Sequence, residues 1–214
     1  MPREISKNEV VIARSHEDIV DWCNRNNITI EKFNQPVYIP KDTISCELLF
    51  GGCKSFNQPV VIPDTVTNCE KMFIYCTSFN QPITIPETIL HCHKMFYGCE
   101  SFNKPIVLPE KIIDCSEMFS QCVSFNQPVV IPNNVTTCYG MFQGCKSFNH
   151  PIVIPDSVLD CSLIFSGCDS MNSEIIVSKE LLHKPSELIS EEQQHLIKRI
   201  TMSSENEKTN LFGE

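Results

Sequence analysis

Glycine is scarce in this 214-residue chain, with seven residues in all, and no glycine-rich phosphate loop occurs among them. Long apolar runs are missing, so nothing approaches the ~20 residues that a membrane-spanning helix requires. The opening stretch, MPREISKNEVVIARSHED, lacks the apolar core of a secretory leader, and the expectation is a cytoplasmic protein with no membrane partner. Basic residues are few, 17 against 26 acidic, giving a formal charge of -9 and a pI near 5.2. Such a balance disfavours binding to a phosphate backbone, which needs clustered Lys and Arg, so no direct nucleic-acid contact is expected. It suits solubility or a partner with a basic surface. Neither a G-x-S-x-G nor an H-E-x-x-H motif is found. His91 and His93 flank Cys92, and His150 replaces the Gln of the pattern described next. The expectation is therefore a protein without catalytic residues, metal or cofactor.

What the chain has is a fixed repeat. Phe-Asn recurs every 23 residues, at Phe33, Phe56, Phe79, Phe102, Phe125 and Phe148, and a decayed copy stands at Met171-Asn172. A constant period with no insertions is the mark of a solenoid. Residues 33–174 comprise six complete units and the decayed one. Residues 1–32 read as an N-terminal cap, with a helix opened by Ser15 and the acids Glu17 and Asp18. Cys23 lies 23 residues before Cys46, so this helix is already in phase with the array. Residues 175–201 read as a C-terminal cap with a helix from Ser190-Glu191-Glu192 through Leu196, Ile197 and Ile200, and 202–214 as a disordered tail.

Numbering each unit from its Phe as zero, positions 4 and 6 are aliphatic and Pro stands at 3 and 7. This predicts a strand of about three residues, because Pro cannot donate to a sheet ladder. Positions 13, 16, 17 and 20 carry Cys, an apolar residue, Phe and Cys. That spacing predicts a short helix. The expected fold is an α/β solenoid: a right-handed coil with a parallel sheet of short strands on one face, short helices on the other, and helical caps.

The unit CKSFNQPVVIPDTVTNCEKMFIYC, Cys53 to Cys76, resembles the BspA-like leucine-rich repeats. Phe56 stands where that class has Leu, Ile62-Pro63 match its I-P, and Phe73 and Cys76 match its F-x-x-C. The Phe-Asn-Gln-Pro text is also similar to repeats of bacterial surface proteins and to the FNIP repeats. The resemblance implies a solenoid used for interaction, and it admits a surface adhesin.

Twelve of 13 Phe and all 13 Cys are confined to two columns each. The Cys column that includes Cys69, Cys92, Cys115 and Cys138 reads as buried filler, with disulfides or a metal as the competing readings. The Asn column, including Asn57, Asn80, Asn103 and Asn126, reads as a hydrogen-bonding ladder between coils.

Position 5 should point outward, between inward positions 4 and 6. It holds Tyr38, Val61, Thr84, Val107, Val130, Val153 and Ile176, five of the seven aliphatic. An exposed apolar stripe of this length marks an interface, against the alternative that Val is there only for strand propensity. Positions 8 and 9 vary between units and could form a specific rim. The leading expectation is a protein-interaction module that uses the sheet face, with homo-oligomerisation through that face left open. The alternatives are a surface adhesin and a small acidic inhibitor of a nucleic-acid enzyme.

Overall fold

The computed structural model describes residues 9–177 and 197–199, and the remaining residues of the expected C-terminal helix and tail lie outside the described residues. The chain opens with β1 (Val11–Ile12) and α1 (His16–Arg25). Helix α1 starts where its side chains require. Ser15 accepts from the Asp18 N–H while the Asp18 carboxylate accepts from the Ser15 N–H, so two donors orphaned at the helix start are satisfied. Its buried side, Ile19, Trp22 and Cys23, covers the first repeat, where Trp22 meets Phe33 edge-on at 5.5 Å. A 3-10 turn, Ile30–Lys32, leads into that Phe.

From there each 23-residue unit lies parallel to the next. Two Phe columns, positions 0 and 17, interleave into one continuous pile. Phe50 is 4.2 Å from Phe56, Phe73 is 4.3 Å from Phe79, and Phe96 is 4.4 Å from Phe102. All twelve rings are fully buried. Offset stacking adds to the area each ring removes from water. This pile is the core, and the aliphatic residues of positions 4, 6 and 10 and the Cys columns pack around it.

The hydrogen-bonded seam between units does not run where the sequence places it. Strands at positions 4–6 occur only at the two ends of the array: β2 (Val37–Tyr38) pairs with β1, β3 (Ile152–Val153) with β4 (Ile175–Val177), and β4 with β5 (Ile197–Arg199), all parallel. Between them no backbone bond links positions 4–6 of neighbouring units among the described residues. The prolines account for this. Pro at positions 3 and 7 removes two of the donors a longer ladder would use. Each pair that does form includes a strand free of both prolines, β1 or β4.

The second half of each unit is not helical, which corrects the expected helices on that wall. It is a run of tight turns. In the first unit the N–H groups of Leu49, Gly51 and Cys53 close turns onto Cys46, Leu48 and Phe50. The intervening N–H groups of Cys46, Leu48, Phe50 and Gly52 donate to Asn68, Glu70, Met72 and Ile74 of the next unit, at 2.8–3.0 Å. Positions 15 and 19 take positive φ in every unit, as at Leu48 (59°) and Gly52 (74°), which no α-helix allows. A chain of three-residue turns sends inward the same residues, 13, 16, 17 and 20, that a helix would. Apolar spacing alone therefore cannot separate the two. The turns free alternate donors for the neighbouring unit, whereas a helix would keep all of them to itself.

The helix expected to run through Ile197 is also corrected. Ile197–Arg199 is strand, with Ile197 opposite Ile175. The proline-free edge of β4 offers a ladder that outweighs the local helical pattern.

Candidate functional site

Two columns hold the units in register, the amides at the surface and the thiols beneath it. Each position-1 amide reaches the next unit: Asn34 Oδ1 accepts from the Asn57 N–H, Asn57 from Asn80, Asn80 from Asn103, Asn103 from Asn126, Asn126 from Asn149 and Asn149 from Asn172, at 2.8–3.0 Å. Gln58, Gln81 and Gln127 donate side-chain N–H groups to the same oxygens. An amide oxygen has two lone pairs, and this corner uses both.

No disulfide joins any of the thirteen cysteines, and all thirteen are buried. In the position-20 column they do more than fill space. Cys76 Sγ donates to the Phe50 carbonyl at 2.9 Å, and Cys99, Cys122, Cys145 and Cys168 repeat the contact with Phe73, Phe96, Phe119 and Phe142 at 3.0 Å. Each such carbonyl also receives the N–H that closes a turn, as Phe50 does from Cys53. The thiol thus fills the second lone pair of a buried carbonyl, which an alanine could not do. Cys69, Cys92, Cys115 and Cys138 belong to the other column. Burial raises the Cys92 thiol well above its ordinary value, with the neighbouring thiols and carboxylates adding to the effect. A thiol held neutral is a poor nucleophile, which disfavours an activated pair with the adjacent His91 or His93. The buried thiols are expected to resist a thiol reagent in the native protein, with few sites modified within minutes and 13 after denaturation. Rapid native modification of six or more would contradict this packing.

Position 5 presents the candidate binding row. Val61 is 82% exposed, Val107 83%, Val130 59% and Tyr38 49%, and Thr84 is exposed among them. Val153 is half-buried. Ile176 departs from the expected row: it is only 9% exposed, in the strand β4 that lies between β3 and β5. The row gains a member at its other end, since β1 sets Ile12 opposite Tyr38, and Ile12 is 63% exposed. Val11 lies 26 residues before its partner Val37, so a search at period 23 passes over it. Along the turn wall a second, broken row of exposed apolar residues, Ile44, Leu90, Ile113 and Leu159, stands at position 11 and was not singled out by the sequence reading. The adjacent position 10 is buried in every unit.

The rim beside the position-5 row is partly structural. At position 9, Thr65 donates to the Lys41 and Thr43 carbonyls, Thr88 to Val66 and Ser157 to Val135. The position-8 side chains stay exposed.

Among the described residues there is no group of His, Cys, Asp and Glu arranged to hold a metal ion, and no helix long and apolar enough to cross a membrane. No curated protein and no solved structure matches the chain. Two overlapping stretches, residues 23–107 and 86–179, match one family, and together they take in α1's last residues, all six complete units and the start of the C-terminal segment. The chain is a repeat protein and belongs to the family described as Mycoplasma protein of unknown function, DUF285.

Proposed function

We propose that this repeat protein is a non-catalytic interaction module, an open leucine-rich-repeat-like solenoid that docks a protein on its position-5 row. One observation carries the reading: Ile12, Tyr38, Val61, Val107 and Val130 stay exposed in a common row, although the fold buries nearly every other large aliphatic residue of those units' strand segments. Strand propensity is a weak reason for Val at Val61, Val107 and Val130, because those segments form no ladder. Their apolar surface is better explained by a partner that covers it. Thirteen cysteines without a disulfide suit a reducing compartment, which supports action in the cytoplasm.

The double variant Val107→Asp/Val130→Asp tests this. Two carboxylates placed in a desolvated interface should weaken binding by about 100-fold or more. Both side chains already face solvent, so the melting temperature should hold within a few degrees. Partners captured by cross-linking to the native protein should be lost from the variant. Equal capture by both proteins would remove the row as the docking face.

A further inference from the structure

We infer that the occupant of the position-5 row is an amphipathic helix carrying Lys or Arg along one flank, laid along the stacking direction. This rests on the reading of that row as a docking face. Three residues beyond the row, at position 8, the first unit carries Lys41, and after it come Asp64, Glu87 and Glu110 in consecutive units, then Asn133, then Asp156. All six are exposed. None of the four carboxylates has an ion-pair partner among the described residues, whereas Asp42 is taken by Arg14 at 3.3 Å. From Asp64 to Ser157 the only base at positions 8 and 9 is Lys111. The opposite margin, position 2, holds Gln58, Gln81, Lys104, Gln127 and His150, with no acid. The apolar row is therefore edged by unsatisfied negative charge on one side only, which fixes both the chemistry and the orientation of what can lie there.

The spacing selects a helix. Position-17 rings repeat at 5.2–5.8 Å and position-0 rings at 5.9–6.1 Å. The α-helix pitch of about 5.4 Å lies within the first range and close to the second, so one helical turn meets one unit over several turns. An extended strand returns a side chain to the same face only every ~6.7 Å and drifts out of step. Three residues of extended chain set the acids ~10 Å from the apolar row, comparable to the width of a helix, so a flank can reach them.

The probe is a 21-residue helix-forming peptide with Leu at i, i+3 and i+7 spacing, Lys along one flank and Gln elsewhere, compared with the same peptide carrying Glu for Lys. Fluorescence anisotropy should show the Lys peptide binding at least about ten-fold more tightly, with the difference shrinking as salt rises. Asp64→Lys/Glu87→Lys/Glu110→Lys should reverse the preference. Glu70→Lys/Glu100→Lys/Asp169→Lys, an equal change of charge off the rim, should leave the Lys peptide ahead. Equal affinity for both peptides, lost in Val107→Asp/Val130→Asp, would overturn the charged-flank inference and leave the docking face standing. Binding of the Lys peptide that ignores Val107→Asp/Val130→Asp would overturn both. Failure of both peptides to bind would overturn the helix, and the cross-linked partner would then decide the face alone.

Discussion

Raised from neutral pH, the protein is expected to unfold cooperatively about one pH unit above the ordinary thiol pKa, well before its lysines titrate. Burial pushes the Cys46 and Cys168 thiols up to about 12, and it raises those of Cys53, Cys69, Cys76, Cys92, Cys99, Cys115, Cys122 and Cys145 well above their ordinary value. Cys138 is raised as well, by its contact with Cys161 and by burial. An acid whose folded pKa lies above its unfolded pKa keeps its proton in the native state while the unfolded chain loses it. Stability is then intact below pH ~8.5 and falls as pH climbs from there toward the folded values. Each such thiol removes about 1.4 kcal/mol per pH unit. Eleven acting together exceed, within roughly one unit, the 5–15 kcal/mol that typically separates folded from unfolded chains. Circular dichroism and thiolate absorbance should therefore change at the same pH, and reversibly in the presence of reductant. Thiolate absorbance rising near pH 9 while the dichroism stays native would show that the two columns are open to solvent.

The same columns explain what could be read without coordinates. A residue type confined to one position in every unit reports a site that recurs. The Phe pile, the amide bonds from Asn34 to Asn172 and the buried thiols all stand at such positions. What could not be read was the direction of the backbone bonds. Inward spacing at Cys69, Met72, Phe73 and Cys76 is common to a helix and to linked turns. Only the positive φ of Lys71 (54°) and Tyr75 (59°) separates them, and neither residue type announces it. Position 19 held a faint signal. Gly52, Gly98, Gly144 and Gly167 recur there, and a Cβ on Gly98 would stand 2.7 Å from the Tyr75 ring of the preceding unit. The candidate row was legible through its middle, where Val61, Val107 and Val130 keep the period. It was not legible at its ends. There Ile12 enters out of phase, and Ile176 is paired on one side with β5, a strand that lies beyond the repeat.

Removing one ring from the centre of the pile should cost far more than removing one at its margin. Phe102 touches four rings: Phe96 at 4.4 Å, Phe79 and Phe125 at 5.9 Å, and Phe119 at 6.4 Å. Phe102→Ala should destabilise by about 3–5 kcal/mol, because the hole has little means of closing. Units above and below are pinned by the turn seam, as where the Phe96 N–H donates to Met118, and by the Asn80 and Asn103 amides. For a chain of this size that corresponds to a fall in melting temperature of roughly 6–20 °C. Each unit is held only by its neighbours, so a central defect uncouples the two halves of the stack, and the thermal transition should broaden or divide. Phe102→Leu, which keeps aliphatic volume but not the stacked ring, should lie between the alanine variant and the native chain. Phe165→Ala, where among the described residues only Phe142 and Phe148 lie within stacking range, should fray one end and leave a single sharp transition. Equal losses at Phe102 and Phe165, each with one sharp transition, would mean that the array unfolds as a single body and that its stability is not passed from unit to unit.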